Sequence, residues 1–391
     1  MRGSSLGGVR VLHTSDWHVG RTFHGAELLA DQEAILSHLA DLVVDEAVDV
    51  VVVPGDIYDR AVPSADAVRV ATAALGRLRA AGARLVLTSG NHDSAPRLGA
   101  FADFAAAGGL HLRTTIARLH EPVLVEDRHG TVAFYGIPYL EPEPARHALG
   151  VPEARGHTGV LTEAMRRVRE DLAAREPGTR SVVLAHAFVT GGAPSESERT
   201  IAVGGVEQVP GAVFDGVDYV ALGHLHGPQV LAPHLRYSGS PLAYSFQEAA
   251  QRKAVWLVDI DADGLGEVRR RELPVPRRLA KVSGKLDELL EEPVFEQVVE
   301  CYLSVTLTDR VRPVDGMRSL RARFPHVVHL DWQPEGGGTT TALRYAKAVR
   351  GRSDSEIAET FLSDTRGEVP NHREQDLLTE ALEASGREEE E

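Results

Sequence analysis

Short apolar runs alternate with longer amphipathic stretches from Val9 to about Ile260. The runs are Val9–Leu12, Val48–Val53, Arg84–Leu87, Val132–Ile137, Ser181–Ala185, Tyr219–Leu222 and Ala254–Ile260. Several are valine-rich and almost uninterrupted, which is the pattern of strands buried on both faces. Between them, Glu27–Val44, Ser64–Ala80 and Glu163–Ala174 carry helical spacing. Alternation of this kind predicts an α/β sandwich built on a largely central sheet.

Pro274 and Pro276 close that region. Beyond them Leu279–Leu290, Glu300–Thr306, Val327–Leu330 and the glycine-rich Gly336–Gly338 predict a small α+β unit. After Arg350 the pattern turns helical again over Ser353–Phe361 and Arg373–Leu382, with apolar residues at Ile357, Phe361, Leu362, Leu377, Leu378 and Leu382. The chain then ends in the acidic run Glu388–Glu391, expected to be solvated. The expected boundaries are 9–272 for the large domain, 275–348 for the α+β unit, 352–385 for the terminal helices and 386–391 for the tail.

Composition narrows the function classes. With 42 Lys+Arg against 57 Asp+Glu, the 391-residue chain carries a net charge of −15, the opposite of a protein that binds DNA on its own average charge. A nucleic-acid substrate would require a local basic patch or a partner. The single cysteine, Cys301, sits in an apolar run and is expected to be buried rather than nucleophilic; it excludes an intrachain disulfide and fits a reducing, cytoplasmic setting. Residues 1–8 have no apolar signal-peptide core, and no apolar run reaches 18 residues, so no membrane span is expected.

Five of the predicted strands lead straight into metal-ligand residue types. Asp16-Trp17-His18 follows the first strand and Gly55-Asp56-Ile57-Tyr58-Asp59 the second. Gly90-Asn91-His92-Asp93 follows the third, His186 ends the strand at Ser181–Ala185, and Gly223-His224-Leu225-His226 follows Tyr219–Leu222. Loops leaving one edge of a sheet converge, and glycines beside ligands permit close approach. In Asp16-x-His18 and His224-x-His226, residues two apart on extended backbone would face the same way. The donors are imidazole, carboxylate and one amide with no thiolate, which suits catalytic manganese, iron or zinc better than structural zinc. Seven candidates, Asp16, His18, Asp56, Asn91, His186, His224 and His226, exceed what one ion with open positions takes. They suit two ions about 3.5–4 Å apart, which can clamp the attacking and leaving oxygens of a phosphoryl displacement.

These blocks, in this order, resemble the calcineurin-like metallophosphoesterase superfamily. Leu12–Arg21, Gly55–Asp59, Tyr237-Ser238-Gly239-Ser240-Pro241-Leu242 and Phe246-Gln247-Glu248 are similar, more narrowly, to the nuclease subunits of bacterial SbcCD complexes. The resemblance implies a β-sandwich flanked by helices, with a small α+β capping domain and C-terminal helices that bind the coiled coil of an SbcC-type ATPase. It implies two manganese ions, one held by Asp16, His18, Asp56 and His226 and the other by Asp56, Asn91, His186 and His224, with His92 over the scissile phosphate. Asp59 and Asp93 would orient ligating histidines. The implied activity is a manganese-dependent DNA nuclease, a 3′-to-5′ double-strand exonuclease and single-strand or hairpin endonuclease. It would act on double-stranded ends and hairpins in repair and recombination, near the nucleoid, as a homodimer within a heterotetramer. Leu98, Phe101 and Phe104, spaced for one helix face, and Val68 are candidates for the dimer contact, with core packing as the competing expectation. Arg269–Arg271 with Arg277 and Arg278 would either touch DNA or form a solvated face. A phosphatase or nucleotidase of the same superfamily and a non-catalytic scaffold are the alternative functions.

Overall fold

The computed structural model describes residues 8–198, 208–334, 353–366 and 370–388. The chain divides into two compact units, Met1–Ala280 and Lys281–Glu391.

The first unit holds two six-stranded sheets. One runs in the order Gly264–Glu272, Ala254–Asp261, Val9–His13, Val50–Pro54, Arg84–Thr88, Leu110–Arg113. Its last four strands are parallel, and Ala254–Asp261 pairs antiparallel to Val9–His13. The other runs Gln229–Ala232, Leu235–Tyr237, Tyr219–Gly223, Arg180–His186, Gly130–Ile137, Val123–Asp127, with a parallel centre and antiparallel outer pairs. The strands thus form the two sheets of the β-sandwich that the family resemblance implies, rather than one central sheet. Side-chain alternation gives the reason, because the inner strands are apolar on both faces. Val9, Val11, Val50, Val52 and Val86 of one sheet pack with Phe134, Val182, Leu184, Tyr219 and Ala221 of the other in one core. The alternate residues Tyr135, Ile137, Val183, Ala185 and Leu222 form a second core with the helix Gly156–Ala173, through Val160, Leu161, Ala164, Met165 and Val168.

That helix starts seven residues before the expected Glu163, which lies inside it. The helix Ala65–Ala80 begins where the sequence places it, because the Ser64 hydroxyl accepts the Ala67 N–H at 3.2 Å. Leu98, Phe101 and Phe104 do not share one helix. Gly99 ends the turn Ala95–Leu98, and Phe101 precedes the short helix Ala102–Ala107. Core packing is excluded for the two aromatics, since Phe101 is 74% and Phe104 83% exposed. Two members of the basic run share one carboxylate: Arg271 Nη2 lies 2.7 Å and Arg269 Nη1 3.2 Å from Glu46.

A buried ion pair pins the far end of the second sheet. Arg180 meets Asp127 through two contacts of 2.7 and 2.9 Å, with both side chains at most 4% exposed. Burial pushes the Asp127 carboxyl up, but the Arg180 hydrogen bonds outweigh it and the net shift is downward. Arg180→Met leaves that carboxylate buried and unpaired, so chemical denaturation at neutral pH is expected to show a loss of about 3–5 kcal/mol. A carboxylate with a depressed folded pKa stabilises the fold fully above its unfolded value of 3.8. The stabilisation fades as pH falls through the lower folded value, so the gap between wild type and variant closes in acid.

The second unit has a three-stranded sheet, Leu279–Gly284, Tyr302–Leu307, Val327–Trp332, with the last two parallel. The stretch Leu279–Leu290 splits into that first strand and the helix Leu286–Glu291, and a further helix, Gly316–Arg323, was not evident from the pattern. Leu289, Leu303, Val305, Leu320 and Phe324 are buried, as is the free Cys301. Gly336–Gly338 lie outside the described residues, as do the last three residues of the acidic tail. The two terminal helices, Asp354–Arg366 and His372–Glu388, contact each other and leave Phe361 53% and Leu377 56% exposed. Among the described residues no helix is long and apolar enough to cross a membrane.

Candidate metal centre

All five motif loops leave the carboxyl ends of parallel strands, at Val9–His13, Val50–Pro54, Arg84–Thr88, Arg180–His186 and Tyr219–Gly223, and they meet. Backbone pairing continues past the strand ends: Asp16 N–H donates to the Gly55 carbonyl at 3.2 Å and His18 N–H to that of Asp56 at 3.0 Å. The backbone there is not extended. Asp16, His18 and Asp56 have φ of 53°, 45° and 53°, and His224 has 109°. The paired motifs thus aim at one site through left-handed turns rather than strand alternation. Each such turn is costly for a residue with a Cβ and is held only by its surroundings. Space is equally constrained. A Cβ on Gly90 would collide with the Asp56 backbone and carboxylate, and one on Gly55 would stand 2.5 Å from the His186 ring.

Three sets of potential ligand atoms lie within 4.8 Å of one another: Asp16, His18 and His226; Asp16, Asp56 and His186; and His18, Asp59 and His92. Asp56 Oδ2 stands 3.6 Å from His18 Nε2 and 3.5 Å from His186 Nε2. Asn91 Oδ1 is 2.8 Å from His186 Nε2. The His224 ring lies 5.4 Å from that of His186, and its backbone N–H donates to Asp16 Oδ1 at 2.9 Å. All seven candidates gather here, and six are buried, Asn91 being half-buried.

These residues fit divalent ions. Asp16 Oδ2 is buried with no hydrogen-bond partner. His18 Nε2 and His226 Nε2 face each other at 3.1 Å, where at most one proton can sit between two lone pairs. Burial, then neighbouring imidazoles, pushes the His18 and His224 pKa values down, so the rings are neutral donors. Burial, then Asp56, pushes the Asp16 carboxyl up. A cation at this point would reverse that repulsion.

His92 adjoins the cluster without belonging to the same donor set. Its backbone N–H donates to Asp56 Oδ1 at 2.9 Å, its Nδ1 lies 2.8 Å from the Asp59 carbonyl, and its ring stacks edge-on to His18 at 4.6 Å. Asp59 Oδ1 stands 3.7 Å from His18 Nδ1, beyond hydrogen-bonding distance. Asp93 differs from expectation. It accepts backbone N–H groups of Gly90, Ile57 and Tyr58 at 2.9–3.1 Å, so it fixes the loops carrying Asp56 and Asn91 instead of an imidazole. Burial and Asp56 raise its pKa to about 7.

Gln32 had not been singled out. It donates to the His18 carbonyl at 2.8 Å and accepts the Gly20 N–H at 3.0 Å. The available signal was a polar residue on the helix face that also buries Ile35, Leu36 and Leu39. Its converse is His13, a histidine beside the motif that is no ligand. His13 is bonded to the Tyr219 hydroxyl and Leu222 carbonyl, and burial takes its pKa down to about 3.

Carboxylates and neutral imidazoles massed on the rim of a two-sheet sandwich define a metal-dependent phosphoester hydrolase. Residues 9–228 match the family model for calcineurin-like phosphoesterases, more than half of the chain, and the protein belongs to that family. Residues 275–366 match the C-terminal domain model of SbcD proteins, described as the type 5 capsule protein repressor C-terminal domain. The two matches together mark an SbcD-type metallophosphoesterase. Similar solved structures include a protein from Thermus thermophilus (16% identity, 67% of this chain and 99% of that one, TM-score 0.39). A dimetal phosphatase from Danio rerio (14%, 68% and 99%, 0.40) and an archaeal phosphodiesterase (13%, 68% and 100%, 0.31) are also similar. At these scores the functional assignment rests on the family matches and the site.

Proposed function

We propose that this chain is a manganese-dependent DNA nuclease, exonucleolytic on duplex ends and endonucleolytic on single strands and hairpins, that works with an SbcC-type ATPase in end processing. The observation that carries the proposal is the convergence of seven His, Asp and Asn donors with His92 beside them, in a chain whose C-terminal region matches SbcD proteins. Asp16, His18, Asp56 and His226 would hold one ion, and Asp56, Asn91, His186 and His224 the other. Bound ions would supply positive charge that polarises the phosphoryl group and acidifies water. The chain's own part is positional. Asp56 stands between the two donor sets, and Asp93 and Gln32 fix the loops beneath them. His92, oriented by the Asp59 carbonyl, presents Nε2 for charge stabilisation or proton donation to the leaving oxygen.

The domain roles follow the same reading. The helices at 352–385 dock on the ATPase coiled coil, which the exposure of Phe361 and Leu377 supports. The ATPase would also contribute DNA contacts to a chain of net charge −15 whose Arg269 and Arg271 are engaged by Glu46. Phe101 and Phe104, both exposed, favour a homodimer.

The test is digestion of end-labelled duplex and hairpin DNA with manganese, with and without the ATPase and ATP, beside hydrolysis of p-nitrophenyl phosphate and nucleotides. Cleavage of DNA supports the proposal. Turnover of small phosphoesters with DNA untouched would make the protein a phosphatase or nucleotidase, and no turnover at all would favour a scaffold.

A further inference from the structure

Behind His226 lies a buried polar chain that hydrolysis, as described so far, does not use. Glu248 is completely buried. Its Oε2 receives the ammonium of Lys253 at 2.5 Å, and Lys253, itself buried, also donates to the His226 carbonyl at 2.8 Å and to Ser240 Oγ at 3.1 Å. Glu248 Oε1 is hydrogen-bonded to the Ser197 hydroxyl and lies 3.0 Å from Ser195 Oγ. Ser197 Oγ in turn lies 2.5 Å from His226 Nδ1. On the backbone side, the His226 N–H donates to Glu198 Oε1 at 2.7 Å. Burying an ion pair this deeply gains little stability, since desolvation offsets the attraction. Some other use for it is to be sought.

Proton accounting supplies one. The Lys253 ammonium, 2.5 Å from Oε2 in a fully buried pair, keeps the Glu248 carboxyl ionised. An ionised carboxylate only accepts hydrogen bonds. The Ser195 hydroxyl donates to Glu198 Oε2 at 2.7 Å, so the Ser197 hydrogen points to Glu248, and the Ser197 oxygen has only lone pairs left for His226. It must accept from Nδ1–H. That leaves His226 Nε2 bare, and Nε2 is the atom that faces His18 Nε2 at 3.1 Å in the metal centre.

We propose that Glu248, acting through Ser197 and kept charged by Lys253, is a positioning residue that locks His226 in the Nδ1–H tautomer, the form whose Nε2 can hold an ion. This rests on His226 being a ligand, as proposed above. Metal-bound histidines are tuned by the acceptor on their other nitrogen, and removing it commonly costs 10–100-fold in affinity.

The experiment compares Ser197→Ala with Ser197→Thr, which keeps the hydroxyl. Isothermal titration of the metal-stripped full chain with Mn²⁺ is expected to show one ion bound about 10–100-fold more weakly by the Ala variant and near wild type by Thr. kcat on duplex DNA falls with KM unchanged, and the metal-free melting midpoint stays put. Long-range ¹H–¹⁵N spectra of metal-free, histidine-labelled protein should show Nδ1–H at His226 in wild type and Thr, and a tautomer mixture in Ala. Wild-type affinity in the Ala variant, or Nε2–H as the wild-type form, overturns the proposal. A wild type that binds no manganese overturns the metal reading itself, while the tautomer spectra still decide the Ser197 relay.

Discussion

Asp56→Asn is expected to remove phosphoester hydrolysis, lowering kcat by at least about 10³-fold, and to leave the chain unable to hold its full complement of manganese. The Asp56 carboxylate lies between both histidine groups, 3.6 Å from His18 Nε2 and 3.5 Å from His186 Nε2. Asn keeps the shape and can still accept the His92 N–H that Oδ1 takes at 2.9 Å. What it loses is the charge. Elemental analysis after dialysis against manganese reads the binding, and duplex digestion reads the activity. The metal-free variant should also melt higher than metal-free wild type at neutral pH. Asp16 is pushed up by burial and then by Asp56, and Asp93 likewise. A carboxylate whose folded pKa is raised destabilises the fold once pH exceeds its unfolded value, so removing a like charge returns stability there. Such a gain at the expense of activity is usual at sites assembled for function. Full manganese occupancy in Asp56→Asn would show that Asp56 is not the shared ligand.

His92→Ala is expected to separate chemistry from metal binding. Positioned proton transfer typically contributes about 10²–10⁴-fold, and kcat on DNA should fall within that range while manganese content stays at the wild-type level. The distinction follows from geometry. His92 Nδ1 is committed to the Asp59 carbonyl at 2.8 Å, and the residue stays 7% exposed, so its Nε2 is the part available to a substrate. Its ring lies against His18 at 4.6 Å, so a small loss of rigidity at His18 accompanies the change. Loss of an ion together with activity would make His92 a ligand, and unchanged cleavage would remove it from the mechanism altogether.

The linear pattern carried the parts list. Apolar runs located the seven strands of the first unit that were named from sequence, and Ser64 located a helix start, because strand burial and helix capping depend on near neighbours. The donor types were equally legible, since Asp16, His18, Asp56, Asn91, His186, His224 and His226 each stand at a strand end. The short strands Leu110–Arg113 and Val123–Asp127 gave little signal; they border their sheets, and the first has no buried residue.

Sequence by itself therefore determined the family, the donor set and the sheet-edge placement of the motifs. Tertiary structure alone decided three things. It assigned each strand to one of the two sheets, because a strand apolar on both faces does not say which layer lies on either side. It showed Asp93 fixing loops rather than a histidine, because backbone N–H groups from Gly90, Ile57 and Tyr58 are brought to it by the fold. It placed Glu248, Lys253 and Ser197 behind His226, through contacts that span up to 51 residues of chain. Local interactions are written in neighbouring residues, whereas a buried charge acquires its role only from partners that folding delivers.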